Sequence, residues 1–347
     1  MKNRNRKLSY VSTLLSLCLV LGLVFSSTGN AAEKPQSLRL AANVVGSLMY
    51  AVGGGLSNVT EKNSDLKIEI LPQGNIIAFP MFASQECDLV LSATDEAHMA
   101  YRGLAVYGKM TKGKGIDMRM LMIGNPIQAG IMVAKDSGIN SAADLKGKRV
   151  TLDFGTHHAL TMGAKACLVG LKLSEKDVKK VRTTEVPAGM RLVMEGKADA
   201  CFGAIGVPAF RELEAARGAR YLGLDSSPET WKQINAIFAG YFPAKVKPSK
   251  VAIGVVEPMI LLGKNFSLIS RMDLSEATAY LLTKTLWEND AKLAPYHPRL
   301  RGWKKMNYVS TRSPVPYHSG AIKFYEEVGV WSADMQKHQD ALLALKK

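Results

Sequence analysis

Cysteine is scarce, with four in 347 residues. Cys18 lies near the start of the chain, and Cys87, Cys167 and Cys201 lack the short paired spacings of a zinc site. Those three cannot complete a disulfide framework, although a Cys167–Cys201 bridge remains open. Cys87 precedes an apolar strand and Cys201 lies in one, so both read as small buried residues. Acidic residues are also under-represented: 30 against 45 lysines and arginines, for a net charge of +15. No apolar run approaches the ~20 residues of a membrane-spanning helix. The G-x-S-x-G elbow, H-E-x-x-H, the P-loop and the dinucleotide fingerprint G-x-G-x-x-G are all missing, which removes the best-marked hydrolases, zinc proteases, nucleotidases and dehydrogenases.

The N-terminus does carry a signal. Lys2, Arg4, Arg6 and Lys7 precede an apolar run over 14–25, and Gly29 and Ala31 stand at positions −3 and −1 of a cut after Ala31. This predicts a cleaved signal peptide over 1–31 and a soluble exported chain, placed in the periplasm. Leu17 before Cys18 is not the small residue of a lipoprotein signal. Loss of the four basic residues, with no acid among residues 1–31, leaves +11. The remaining basic residues are scattered rather than gathered with aromatics. Nucleic acid is therefore not an expected partner, while a positive field favours capture of a small anionic solute.

Strand and helix patterns alternate along the mature chain, predicting an α/β fold with parallel sheets. Strands are expected at 38–43, 66–71, 87–92, 148–154, 181–186 and 198–206, and a strand pair interrupted at Asn125-Pro126. Another strand is expected from Val251 onward, and helices at 275–287, 321–328 and 333–345. The stretch 225–249 has no clear periodicity. "ASQECDLVLSATD" and "MEGKADACFGAIG" share a helix end, a polar turn, an aspartate and a small-residue strand. Asp88 and Asp199 match in this echo and are expected to tie turns. Two similarly built lobes follow: 33–124 with 256–347, and 125–255. The chain would cross between them near Asn125-Pro126 and Val255-Val256.

Two adjacent histidines, His157 and His158, stand at a strand-to-helix turn. Helical neighbours do not face one another, so the pair is poorly placed for one metal ion, and no metal or cofactor is expected. With Thr156 as N-cap, the free amides after it form an anion-binding helix end. The other arrangement packs one histidine on Phe154 and leaves its neighbour in solvent. Similar turns occur at Gly46-Ser47, at Gln73 to Asn75, with Asn75 as cap, and at Gly206-Val207. Ligands of open α/β sheets bind where strands end in such turns. "VGGGLSN" at 52–58 reads as a helix packed closely on the sheet. Asp95, Glu96 and His98 form either an acid/base cluster or a plain helix face. A general base at His157 or His158 in an exported hydrolase-like enzyme is the alternative function. An adhesive or host-interaction protein would need repeats or apolar patches that are not evident.

The segments "SLMYAVGGGLSN", "CDLVLSATDEAHMAYRG", "INSAADLKGKRVTL", "GKADACFGAIGVP" and "VPYHSGAIKFYEEVG" resemble the TAXI family, the TRAP-associated extracytoplasmic immunogenic solute receptors. The resemblance covers nearly the whole mature chain. It implies a two-lobed, type II periplasmic-binding-protein-like fold with a ligand cleft between its lobes. The receptor would be a monomer that closes on a carboxylate or amino acid and delivers it to a TRAP-type permease, with no catalysis. Carried over by position, Tyr50, Asn75, Thr94-Asp95 and Gly206 to Pro208 fall in the ligand loops. Leu48-Met49 and Gly155-Thr156-His157-His158 depart from the family pattern within the expected pocket.

Overall fold

Residues 37–155 and 157–346 are described by a computed structural model. The signal-peptide reading and Thr156 lie outside these residues. In chain order the elements are β1 (Ser37–Ala41), α1 (Leu48–Asn63), β2 (Lys67–Leu71), α2 (Asn75–Ala78), β3 (Leu89–Ala93), α3 (Thr94–Arg102) and α4 (Ala105–Thr111). Then come β4 (Met118–Ala134), β5 (Arg149–Asp153), α5 (His158–Gly170), β6 (Lys179–Arg182), α6 (Val186–Met194), β7 (Ala200–Ala204) and α7 (Ala209–Arg217). The chain ends with β8 (Ala219–Tyr221), α8 (Pro228–Ile237), β9 (Phe242–Val246), β10 (Met259–Arg271), α9 (Glu276–Glu288), α10 (Ser319–Glu327) and α11 (Ala333–Ala344).

The strands line up as β2-β1-β3-β10-β4-β7-β5-β6, with β8 added to β4 and β9 to β10. Each half has a parallel set, β2-β1-β3 and β7-β5-β6. The long antiparallel strands β4 and β10 join the two sets, so the sheet is mixed rather than purely parallel. Apolar side chains gather in two clusters. The smaller draws on β5, α5, α8 and the second part of β4, around Phe154, Phe202 and Trp231. This is the two-lobed α/β fold that the chain pattern predicts.

Three expectations change. β4 is one unbroken strand of 17 residues, not two segments interrupted at Asn125-Pro126. Pro126 faces Asn265, and the pairing shifts register between Asn265 and Ser267. A bulged ladder tolerates a residue without an N–H. The second crossing strand begins at Met259, not at Val251. Ala252 and Val255 owe their apolar character to burial in the loop before it. The stretch 225–249 holds α8 and β9. Ser227 caps α8 through its side chain, and β9 carries Pro243 on a strand with a single partner. Cys87, Cys167 and Cys201 are all buried free thiols, so Cys167 and Cys201 do not pair. Burial pushes the Cys87 thiol up to about 11 and the Cys201 thiol to about 12.

The echoed aspartates make equivalent clasps. Asp88 accepts from the Arg39 amide at 2.9 Å, and its own amide donates to the Arg39 carbonyl at 3.0 Å. Asp199 does the same with Arg149, at 2.7 and 2.8 Å. Each clasp ties the start of one parallel strand to its neighbour. Gly53 of the "VGGGLSN" helix lies so close to β1 that a Cβ there would stand 2.7 Å from Ala42 Cβ.

Candidate functional site

A cavity of ≈ 90 Å³ opens where strands of both halves end. A water needs ~10–15 Å³ on such a measure, so the space suits a small solute rather than a single ion. Four helices of eight residues or more start on its wall: α1, α3, α5 and α6. First-turn amides have no intrahelical acceptor. Among the described residues no acceptor meets those of Leu48 and Met49 on α1. These ends present a positive potential to the cavity. Ile127, Phe202 and Val207 supply apolar wall.

The polar wall carries three carboxylates, Asp95, Glu96 and Glu185, together with Lys264 and His157. Asp95 is fully buried; its Oδ2 receives Lys264 Nζ at 2.7 Å and the Tyr241 hydroxyl at 2.8 Å. Glu96 accepts from the Tyr107 hydroxyl at 2.5 Å. Burial pushes its carboxyl up to about 7, against the smaller opposing pull of that hydrogen bond. His157 Nε2 lies 2.8 Å from Glu185 Oε1. Burial disfavours the imidazolium, but the Glu185 hydrogen bond and the charges of Glu185 and Glu96 outweigh it and raise the His157 pKa. Asn75 donates to Ser92 Oγ at 2.7 Å, while its buried Oδ1 has no partner. An orphaned buried acceptor costs ~1–3 kcal/mol, so a donor there is worth as much.

Of the residues singled out from sequence, Ser47, Leu48, Met49, Asn75, Asp95, His157 and Val207 line this cavity. Ser47 caps α1 through its side chain, accepting from the Tyr50 amide at 3.1 Å. Asn75 is the first residue of α2, with Gly74 rather than Asn75 at the cap. α5 starts at His158 with His157 at its cap, not Thr156, and the His157 side chain makes no capping bond. Instead the His157 ring packs across to the first half, where a Cβ on Gly74 would stand 3.0 Å from its Cε1. Gly46, Tyr50, Gln73, Thr94, Gly155 and His158 are near these turns but outside the wall. Gly46, Gly155 and Gly206 have φ of +82°, +60° and +93° and serve the turns through their backbone. Gly206 faces a different cavity. His98 packs against Phe238, with ring centroids 5.4 Å apart, and is not part of this wall.

Lys264, Glu185 and Glu96 were not singled out as ligand residues, though all line the cavity. Lys264 sits in β10, buried to 5% exposure, where a lysine directly after the apolar run Met259 to Gly263 is a usable signal. Glu185 immediately precedes the expected Pro187 helix. Among the described residues no group of three or more His, Cys, Asp or Glu is arranged to hold a metal ion, and no helix is long and apolar enough to cross a membrane.

Strand ends and helix starts from two halves, facing one cavity across a pair of crossing strands, define the type II solute-binding class of fold. PhnD1 from Prochlorococcus marinus (MIT 9301), solved in complex with methylphosphonate, shares that fold. Its TM-score is 0.50 at 11% identity, covering 85% of this chain and 99% of that chain. A TctC solute binding protein from Polaromonas aligns at TM-score 0.45 and 15% identity, over 89% of this chain and 97% of that chain. The chain itself belongs to the NMT1-like family, matched over residues 40–329.

Proposed function

We propose that the protein is a periplasmic solute receptor that closes on a small carboxylate of the amino-acid type and delivers it to a TRAP-type permease. Solute binding rests on family and fold. The TAXI-like segments support the finer assignment, and the charged start of the chain supports export. The lobes of this reading are 33–124 with 256–347, and 125–255, turning about the register break where β4 crosses β10.

The observation that carries the ligand class is the coexistence of two kinds of unmet hydrogen-bonding group on one wall. The helix starts of α1 and α5 suit a carboxylate, and the Leu48 and Met49 amides meet no acceptor among the described residues. The orphaned Asn75 Oδ1, with Asp95 and Glu96 nearby in the wall, suits an ammonium or other N–H donor. A zwitterion satisfies both, whereas a simple anion would meet the acidic groups unfavourably. In this reading His157 orients the wall through Glu185 and Gly74 rather than acting as a base. A swing from 1:99 to 99:1 in favour of the closed form needs ~5.5 kcal/mol of differential binding. A few charge-assisted hydrogen bonds of ~1.5–3 kcal/mol each supply it.

Mass spectrometry of solute released from the purified protein, followed by calorimetry with that solute, tests the reading. A small amino carboxylate is expected. Asn75→Ala should weaken its binding by ~1–3 kcal/mol, the value of a buried acceptor's bond. A released solute with no N–H or O–H donor, or turnover of the solute, would overturn it.

A further inference from the structure

A second cavity, unlike the first, has no carboxylate in its wall. It has a volume of ≈ 250 Å³ and shares Val207 with the main cavity as a common wall. On one side stand His297, Pro298 and Arg299, from the 3₁₀ turn Pro298–Gly302 and its cap. On the other are the turn after β7 at Gly206, the start of α7 with Arg211, and the loop before β10 at Val251 and Ile253.

Its charged groups are cationic. Arg299 is held in place by its contact with the Pro126 carbonyl and by its own carbonyl, which accepts from Asn125 Nδ2 at 3.1 Å. Its buried Nε has no acceptor. Arg211 is exposed on α7, with no side-chain partner among the described residues. Among the described residues no carboxylate pairs with either guanidinium, although the other ion pairs of the chain are numerous. His297 accepts from the Arg299 amide through Nδ1 at 3.2 Å and is bonded to the Gly206 backbone, so it positions the turn instead of adding a charge. Burial lowers the Arg299 pKa to about 10, a measure of how little water and how little opposite charge surround it. A half-buried guanidinium without a counter-charge is costly, and a fork of N–H donors fits an oxyanion.

We propose that this second cavity is a binding site for a small oxyanion of the carboxylate, phosphate or sulfate class, held between Arg299 and Arg211. The site is independent of what the main cavity holds. It spans from the C-terminal turn to the loops of the second half, and it lies against Pro126, where the long strands cross. An anion there ties the two sides together beside the wall that the main cavity also uses.

Inorganic phosphate is the probe, titrated at constant ionic strength with chloride as the matched control, and read by thermal shift and by phosphorus NMR line broadening. Saturable binding by phosphate beyond chloride is expected. Arg211→Glu, at an exposed position, should fold as the parent does and bind phosphate at least ten-fold more weakly. Asn75→Ala, in the main cavity, should leave the phosphate affinity unchanged. No phosphate effect in the parent, equal affinity in Arg211→Glu, or loss of phosphate binding in Asn75→Ala would each overturn the proposal.

Discussion

The two echoed segments end differently although they begin alike. In the first half the strand after the Asp88 clasp leads into Thr94-Asp95, and the buried Asp95 carboxylate is balanced by Lys264. In the second half the strand after the Asp199 clasp leads into Ile205-Gly206. There a glycine at φ +93° stands where the aspartate would be, with the Arg299 side chain packed against it. A Cβ on Gly206 would meet Arg299 Cγ at 2.8 Å. The clasps hold the strands and have been kept in both halves. The residues seven positions on differ: Asp95 brings a carboxylate paired with Lys264 to one cavity, and Gly206 leaves room for Arg299 beside the other.

The buried pair is the place to break this comparison hardest. Lys264→Met leaves Asp95 without its cation, and stability to denaturant should fall by ~3–5 kcal/mol. Lys264→Met with Asp95→Leu should recover much of that, because matched apolar replacements of buried pairs are often neutral. Equal losses in the single and double variants would show that the pair is not what balances the first half.

Glu96 gives the next largest effect, through pH. Its carboxyl stands at about 7 in the fold against an ordinary value of 4.5. Between those values the folded chain holds a proton that the unfolded chain releases, so its contribution is full below pH 4.5 and is lost as pH rises to 7. The difference is on the order of 3 kcal/mol. Glu96→Gln should flatten that part of the stability curve and be the more stable protein above pH 7, measured by denaturant midpoints at pH 5 and pH 8. An unchanged slope would mean that Glu96 is not the group responsible.

The clasps should give the smallest effects and sharpen the likeness between halves. Asp88 is the more buried, its side chain 10% exposed against 26% for Asp199, and it pairs with Arg271 as well as Arg39. Asp88→Ala should cost ~2–3 kcal/mol and Asp199→Ala ~1–2 kcal/mol, the range for orphaned backbone donors. The reverse order in thermal or denaturant melts would show that burial does not rank them.

The clasps were legible in sequence because an aspartate before a small-residue strand states its own purpose in a few adjacent residues. The strand-helix alternation was legible for the same reason. The cavity wall was legible only where the turn itself bears the group, as at Ser47, Asn75, Asp95 and His157. Lys264 reaches Asp95 from 169 positions away, and no local pattern can announce such a pairing. The break expected at Asn125-Pro126 failed because the strand absorbs the proline with a bulge of its own: Gly124 and Asn125 of β4 stand against the single residue Phe266 of β10. Glu185, the partner of His157 Nε2, lies beyond the next strand, and nothing in the His157-His158 turn announces it.

The long antiparallel partner of β3 also bears on how the chain reaches its fold. Ser92 and Ser267 meet across 175 positions, Leu121 and Tyr325 across 204, and Tyr101 and Leu342 across 241. Closing loops of that span carries a large entropic cost before any contact repays it, so the first half condenses late, when the final strands and helices become available. Until then β3 presents an open hydrogen-bonding edge of wholly buried residue types, the kind of edge that pairs with other chains. A chain stopped before β10 would keep that edge permanently and should aggregate rather than form half of the molecule.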